Sequence, residues 1–406
     1  MLLPRASLIA SLFLGSGTLS AVASPSPAPA PAHGRDGKIT PKVFIVSMFS
    51  PEAEIWWGIP EFNLLAHNIT IPGLSPLFPD VHCTEDYEIC QLVTGEAEIN
   101  AATTVTTVAF SPLFDLTHTY FLIAGIAGVN PERATTGSVT FARYAVQVAL
   151  QYEIDIRELP NTYQIGYFPQ GSDFPGQYPQ SIYGTEVFEV NNDLRKIAAK
   201  FARQANLSDS TTAQTYRANY ATPNGTFKAA TLPPGVVECD VATSDVYYSG
   251  NILSNAFDNT TKLLTNGTGE YCATAQEDNA TLEVLLRSSA GKLTDFSRII
   301  VMRTASDFDR PYPGSSATYN LLYADGGGFE TAVENIYHAG VQVVQGILRE
   351  WKSTFAKGVK PRNYIGDIFG TLGGEPDFGP GSVETYKEIG GVNQRRSLEK
   401  RSRRHR

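Results

Sequence analysis

Apolar residues in this chain fall into runs of two kinds, continuous β-branched stretches and stripes at helical spacing. Lys42–Met48 (KVFIVSM) is a continuous run and predicts a buried strand. It ends at Ser50-Pro51-Glu52, where Ser-Pro can open a helix over Glu52–Trp57. Ile89–Val93, Thr119–Ala124 and Arg298–Met302 predict further strands, with more strand material in Gly137–Val148 and Gln151–Ile156. Gly125-Ile126-Ala127-Gly128 reads as a turn closing the Thr119 strand. Helices are predicted over Asn100–Phe110, Val187–Ala205, Asn251–Thr265, Glu277–Ser289 and Phe329–Trp351. Leu194, Ile197, Ala198 and Phe201 share one face of the second, and Leu282, Leu285 and Leu286 one face of the fourth. Strands alternating with helices predict an α/β protein with a mostly parallel sheet. Tyr167–Tyr183, rich in Gly, Pro and aromatics, reads as a surface insertion.

The two ends change the picture. Arg5, the apolar Leu8–Leu14 and Ala21-Val22-Ala23 have the layout of a signal peptide over residues 1–23, followed by a Pro-rich leader over 24–37. The chain carries −9 overall, but Arg395–Arg406 holds seven Lys/Arg and one Glu, so residues 393–406 form a basic tail. With that tail and Arg5 set aside, the remainder stands at −16. An acidic body is a poor nucleic-acid binder, which needs a basic surface. No stretch after the N-terminus approaches the roughly 20 apolar residues of a membrane span. Four cysteines suit two disulfides of an exported protein, most simply Cys83 with Cys90 and Cys239 with Cys272. Six N-x-Ser/Thr sequons, at Asn68, Asn206, Asn224, Asn259, Asn266 and Asn279, point the same way, to a secreted or cell-surface protein.

In an open α/β sheet ligands bind beyond the carboxyl ends of the strands. The residues expected there are Ser50–Glu54, Gly125–Val129 and Arg303–Asp309, which would bring acidic clusters and a glycine turn to one mouth. Glu277, at a helix start, suits either the helix dipole or a pair of neighbouring hydroxyls. No Gly-x-Ser-x-Gly elbow, Walker loop or His-Glu-x-x-His is present, and the histidines form no spaced ligand set. No metal or cofactor is expected.

The segments KVFIVSMFSPEAEIW (42–56), LVTGEAEINAATTV (92–105), FLIAGIAGVNPERATTGSVTFARYAVQ (121–147), YCATAQEDNATL (271–282) and IIVMRTASDFDRP (299–311) resemble, in order, the purine nucleoside permease family, and more distantly the nucleoside phosphorylase and nucleosidase superfamily. The resemblance implies a single three-layer α/β/α domain over residues 38–392, with a mixed, mostly parallel central sheet. It implies that Asp307 protonates N7 of a purine leaving group with Ser306 beside it. Glu277 would hold the ribose 2′- and 3′-hydroxyls from a helix start that includes Gln276. Ala127 and Gly128 would sit beside sugar and base, and Arg303 and Thr304 on the phosphate or water side. Separately from the resemblance, aromatic side chains are expected against the base, with Phe308, Tyr247 or Tyr248 as the candidates. The chain departs from the superfamily in lacking an Asp in Thr136–Val139 and a Gly at Ser244-Asp245. Glu52 falls where nucleosidases carry the glutamate that activates water. Its loop has two glutamates and no Arg or Lys, which favours hydrolysis over phosphorolysis. The implied partners are purine nucleosides (adenosine, guanosine, inosine). A phosphorylase and a non-catalytic binding protein aiding transport stay as alternatives. Superfamily members commonly assemble, so a homo-oligomer stays open too. If the site is real, Asn279 is expected to be unglycosylated.

Overall fold

The computed structural model describes residues 37–376. The signal peptide, nearly all of the leader, and the basic tail lie outside the described residues.

Hydrophobic alternation builds a sheet with a core on each face. In the strand Val43–Ser47 every residue is buried. Phe44 and Val46 pack on one side with Val105 and Val108 of the helix Glu98–Ala109, and with Leu282 and Leu285 of the helix Asp278–Ala290. Val43 and Ile45 pack on the other, with Leu194 and Ala198 of the helix Asn192–Ala202 and Ile336 and Val343 of the helix Phe329–Arg349. Period-two side chains on a strand buried on both faces give this split, and each fully buried aliphatic or Phe adds roughly 1.5–3 kcal/mol. The result is a three-layer α/β/α arrangement.

The sheet is mixed. Val43–Ser47 pairs in parallel with Ile89–Val93 and with Tyr120–Val129, which pairs in parallel with Ile299–Phe308. Antiparallel strands finish the edges: His67–Thr70 beside Asp80–Cys83 at one end, Val187–Glu189 beside Gly366–Asp367 at the other. The ladders also return on themselves. Ile299–Phe308 pairs with Val139–Ala142, and only Arg143 separates that strand from Tyr144–Gln147. From there Asp240–Thr243 and Tyr271–Ala275 lead back to Tyr120–Val129.

Three expectations are corrected. Gly125–Gly128 is not a turn; the strand runs through it to Val129. The last strand does not stop at Met302 but continues to Phe308, so Arg303–Asp307 lie on the strand rather than beyond it. Val187–Glu189 is a strand, and the following helix starts only at Asn192, because the Asn191 side chain accepts from the Asp193 and Leu194 amides and caps it. Part of the expected surface insertion is also regular, since Tyr167–Pro169 pairs with Gln151–Glu153.

Both expected disulfides are formed, Cys83–Cys90 and Cys239–Cys272. Among the sequons, Asn68, Asn206, Asn224, Asn259 and Asn266 are exposed. Asn279 is buried and its amide donates to the Thr185 carbonyl at 2.8 Å, which leaves no room for a glycan.

Candidate active site

Tyr120–Val129 changes partner along its length. Residues Tyr120–Ile123 pair with Val43–Val46, whereas Gly128 and Val129 pair with Thr274 and Ala273. Between those two ladders one edge of the strand is bare, and a cavity of about 540 Å3 opens against it. That volume suits a small organic ligand.

Glu52 fills the bare edge. Ser50–Glu54 forms a short helix after the first strand, and it points the buried Glu52 carboxylate back over the sheet. The Ile126 amide donates to Oε1 at 2.6 Å and the Met48 amide to Oε2 at 2.8 Å. Burial pushes this carboxyl up to about 8, against the opposing pull of Arg303 and the two amides.

Glycine at position 125 is required by this packing. A Cβ there would lie 2.7 Å from both Arg303 Nη1 and Glu52 Oε1. The first glycine of the segment that reads as a turn is a glycine because two charged side chains cross the backbone there. Gly125→Ala is expected to cost about 1–3 kcal/mol through overpacking. It should also lower kcat/KM, and thermal denaturation with steady-state kinetics checks both.

Arg303 organises the acidic groups. Its Nη2 donates to Glu277 Oε2 at 3.0 Å and to Asp278 Oδ1 at 3.2 Å, Nε to Asp278 Oδ2 at 3.2 Å, and Nη1 to the Ile126 carbonyl at 3.1 Å. Arg303, Glu277 and Asp278 are all buried. Glu277 Oε1 accepts from the Ala97 amide at 2.9 Å. Ala97 holds φ at 75°, a left-handed value rare for alanine, and this aims its amide at the carboxylate. Each carboxylate oxygen keeps a lone pair, so Glu277 can still accept from two vicinal hydroxyls.

Asp307 is set by a bulge. The pairing shifts between Ala305 and Asp307, so Ser306 is an extra residue, and Ser306 and Asp307 both face the cavity. The Ser306 hydroxyl donates to Asp307 Oδ1 at 2.7 Å, and Tyr247 makes a second side-chain hydrogen bond to it. Burial outweighs both and raises the Asp307 carboxyl above the ordinary range, favouring its protonated form. Gly128 lies beneath, where a Cβ would be 2.6 Å from Thr274 Oγ1 and 3.5 Å from Asp307 Oδ2.

The structure therefore brings Glu52, Ala127, Gly128, Gln276, Glu277, Arg303, Ser306 and Asp307 to one cavity. Two expected residues do not line it. Thr304 follows Arg303 on a regular strand, so it points to the opposite face and is fully buried there. The Phe308 ring packs 4.2 Å from Tyr220 in an aromatic cluster away from the cavity. Arg303 is also not a free anion site, because its guanidinium is already engaged by two carboxylates. Ser244 lines the cavity, whereas Asp245 serves a helix start, accepting from the Glu98 amide at 2.9 Å.

Sequence reasoning missed Asp278 and Thr274. It also missed the arch Asp325–Phe329, whose three successive glycines were the available signal. Phe329 of that arch stands 6.4 Å from Phe49 across the mouth. Among the described residues, no group of three or more His, Cys, Asp or Glu side chains is arranged to hold a metal ion.

A family model described as purine nucleoside permease matches residues 40–360. A purine nucleoside permease of Candida albicans is 48% identical over 351 residues, which is 85% of this chain and 84% of that protein. A probable purine nucleoside permease of Schizosaccharomyces pombe is 41% identical over 326 residues, 78% of this chain and 92% of that protein. Among solved structures, a 5'-methylthioadenosine/S-adenosylhomocysteine nucleosidase of Neisseria meningitidis aligns with a TM-score of 0.45 at 14% identity, covering 76% of this chain and 99% of that one. Futalosine hydrolase of Helicobacter pylori gives 0.44 at 13%, covering 76% and 98%. At that distance the structural likeness carries no function over.

Proposed function

Because this chain belongs to the purine nucleoside permease family, we propose that it handles purine nucleosides by hydrolysing their N-glycosidic bond, releasing base and ribose in support of uptake. One observation carries the reading: a half-buried carboxyl disposed to hold a proton (Asp307), a second carboxylate bound by two amides (Glu52) and Glu277 all line one cavity. Asp307 donates a proton to N7, so the purine leaves neutral rather than as an anion. Glu277 accepts the 2′- and 3′-hydroxyls and fixes C1′ over the bare strand edge. Glu52 orients a water, takes its proton as the oxygen bonds to C1′, and the glycosidic electron pair goes to the departing base. Phosphate is disfavoured as nucleophile, since Arg303 is shared between Glu277 and Asp278 and the cluster is negative before Glu52 is counted.

Adenosine, guanosine and inosine, supplied with and without phosphate, should give free base and ribose at equal rates; strict dependence on phosphate would refute hydrolysis. The pH profile is a second check. Glu52 must be ionised to accept a proton while Asp307 must keep one to donate, so log kcat/KM should be bell-shaped in pH, with the limb near 8 set by Glu52. Glu52→Gln should remove that limb along with most of the rate.

A second reading, capture of nucleoside without turnover, is favoured by the names of the curated relatives, which are permeases. Among the described residues no helix is long and apolar enough to cross a membrane. The two disulfides fit an oxidising, extracellular compartment, and the signal peptide belongs to the same proposal.

A further inference from the structure

The charge around the cavity is one-sided in a way that hydrolysis of neutral purine nucleosides does not require. Among the described residues lining it, Arg303 is the single basic side chain, and Glu277 and Asp278 already share it. Asp309, deeper in, is taken by Arg310 at 2.8 and 3.0 Å and by the Tyr271 hydroxyl at 2.5 Å. The mouth adds Glu96, Asp325 and Glu330, all exposed. The rings of Phe49 and Phe329 and the 61% exposed Tyr247 line the same cavity. Carboxylates that a guanidinium only partly offsets, beside aromatic rings, select cations and repel anions by Coulomb and cation–π forces.

We propose that this site prefers N-ribosides whose base carries a fixed positive charge, and that it rejects 5′-phosphorylated nucleotides. The inference rests on the reading of the cavity as a nucleoside site and names its substrate class. It also has a chemical consequence. In a cationic riboside the C1′–N bond breaks with its electron pair passing to a ring nitrogen that is already positive, so the base leaves neutral without a proton from Asp307. Water supplies the new C1′–O bond and gives its proton to Glu52. Asp307 is then dispensable for such substrates, while Glu52 and Glu277 are not.

Calorimetric binding to the purified full chain tests this with guanosine, 7-methylguanosine, nicotinamide riboside and guanosine 5′-monophosphate at low and moderate salt. The expected result is that the two cations bind about tenfold tighter than guanosine and the nucleotide at least tenfold weaker, with both gaps narrowing as salt rises. Glu96→Gln/Asp325→Asn/Glu330→Gln should weaken the cations more than guanosine. Where turnover is seen, Asp307→Asn should lose far more rate on guanosine than on 7-methylguanosine. Equal affinity for cation, neutral nucleoside and nucleotide would overturn the preference, as would an equal loss on both substrates. Binding in the expected order without turnover of any substrate would uphold the preference and refute the hydrolase reading alone.

Discussion

Asp307→Asn is expected to lower kcat for purine nucleosides by about 10³-fold, within the range general acids supply, and to leave nucleoside affinity within a few-fold of the parent. The bulge at Ser306 aims the side chain into the cavity, and a carboxamide fits the same space. Its NH2 group can still donate a hydrogen bond to N7, so the ground-state complex is kept. What it cannot do is transfer a proton, so the base must leave as an anion. Replacing this half-buried ionisable group by a neutral isostere adds no desolvation cost, so the fold should not suffer. Single-turnover base release, calorimetry with guanosine and a thermal melt separate the three effects. A variant that still supports nucleoside uptake in cells with its turnover gone would move the assignment to capture, because the chemistry would then be incidental to transport.

The parts of this site that can be read from the chain are those whose chemistry is local. Glu52 after a buried strand, Glu277 at a helix start and Asp307 in an Arg-Thr-Ala-Ser-Asp segment stand out as acidic positions from their neighbours, and the family resemblance is what attaches roles to them. The parts that cannot be read depend on contacts between distant segments. Gly125 and Gly128 look like a turn because glycine usually breaks a strand, but here they stay in register with Arg303 and Asp307. Their lack of a side chain is used by Glu52, Arg303 and Thr274, and none of these is near them in sequence. The extension of the last strand past Met302 has the same origin. Polar residues alone suggest an exit into solvent, while pairing with Val139–Ala142 and Tyr120–Val129 keeps Arg303 and Thr304 on the ladder. Thr304 is misplaced by the sequence for that reason, since a residue expected in a loop has no fixed face and one on a strand does. Asp278 reads only as part of a helix start, and its engagement of Arg303 becomes visible once that helix is docked.

Arg303→Met should be the most destabilising single change at the site. The guanidinium sits among Glu277, Asp278 and Glu52, all buried, and methionine keeps much of its length while removing the charge that offsets them. Stranding buried carboxylates without their partner costs about 3–5 kcal/mol. In a domain of this size that corresponds to a fall in Tm on the order of 10 °C. The loss has a definite pH dependence. Without Arg303 the carboxyls are raised above their unfolded values, so the folded variant binds more protons than the unfolded chain in the window between them. Its stability then falls as pH rises through that window, and the deficit should be smaller at pH 5 than at pH 8. Adding Glu277→Gln and Asp278→Asn removes the stranded charges and should recover most of the Tm, giving a large coupling energy in the mutant cycle. It should not recover turnover, because the neutral carboxamide in place of the Glu277 carboxylate accepts sugar hydroxyls weakly and no longer offers a negative charge to a cationic transition state. A variant Arg303→Met that melts with the parent at pH 8 would mean that the carboxyls are held neutral by burial alone, and that the guanidinium serves the ligand rather than the fold.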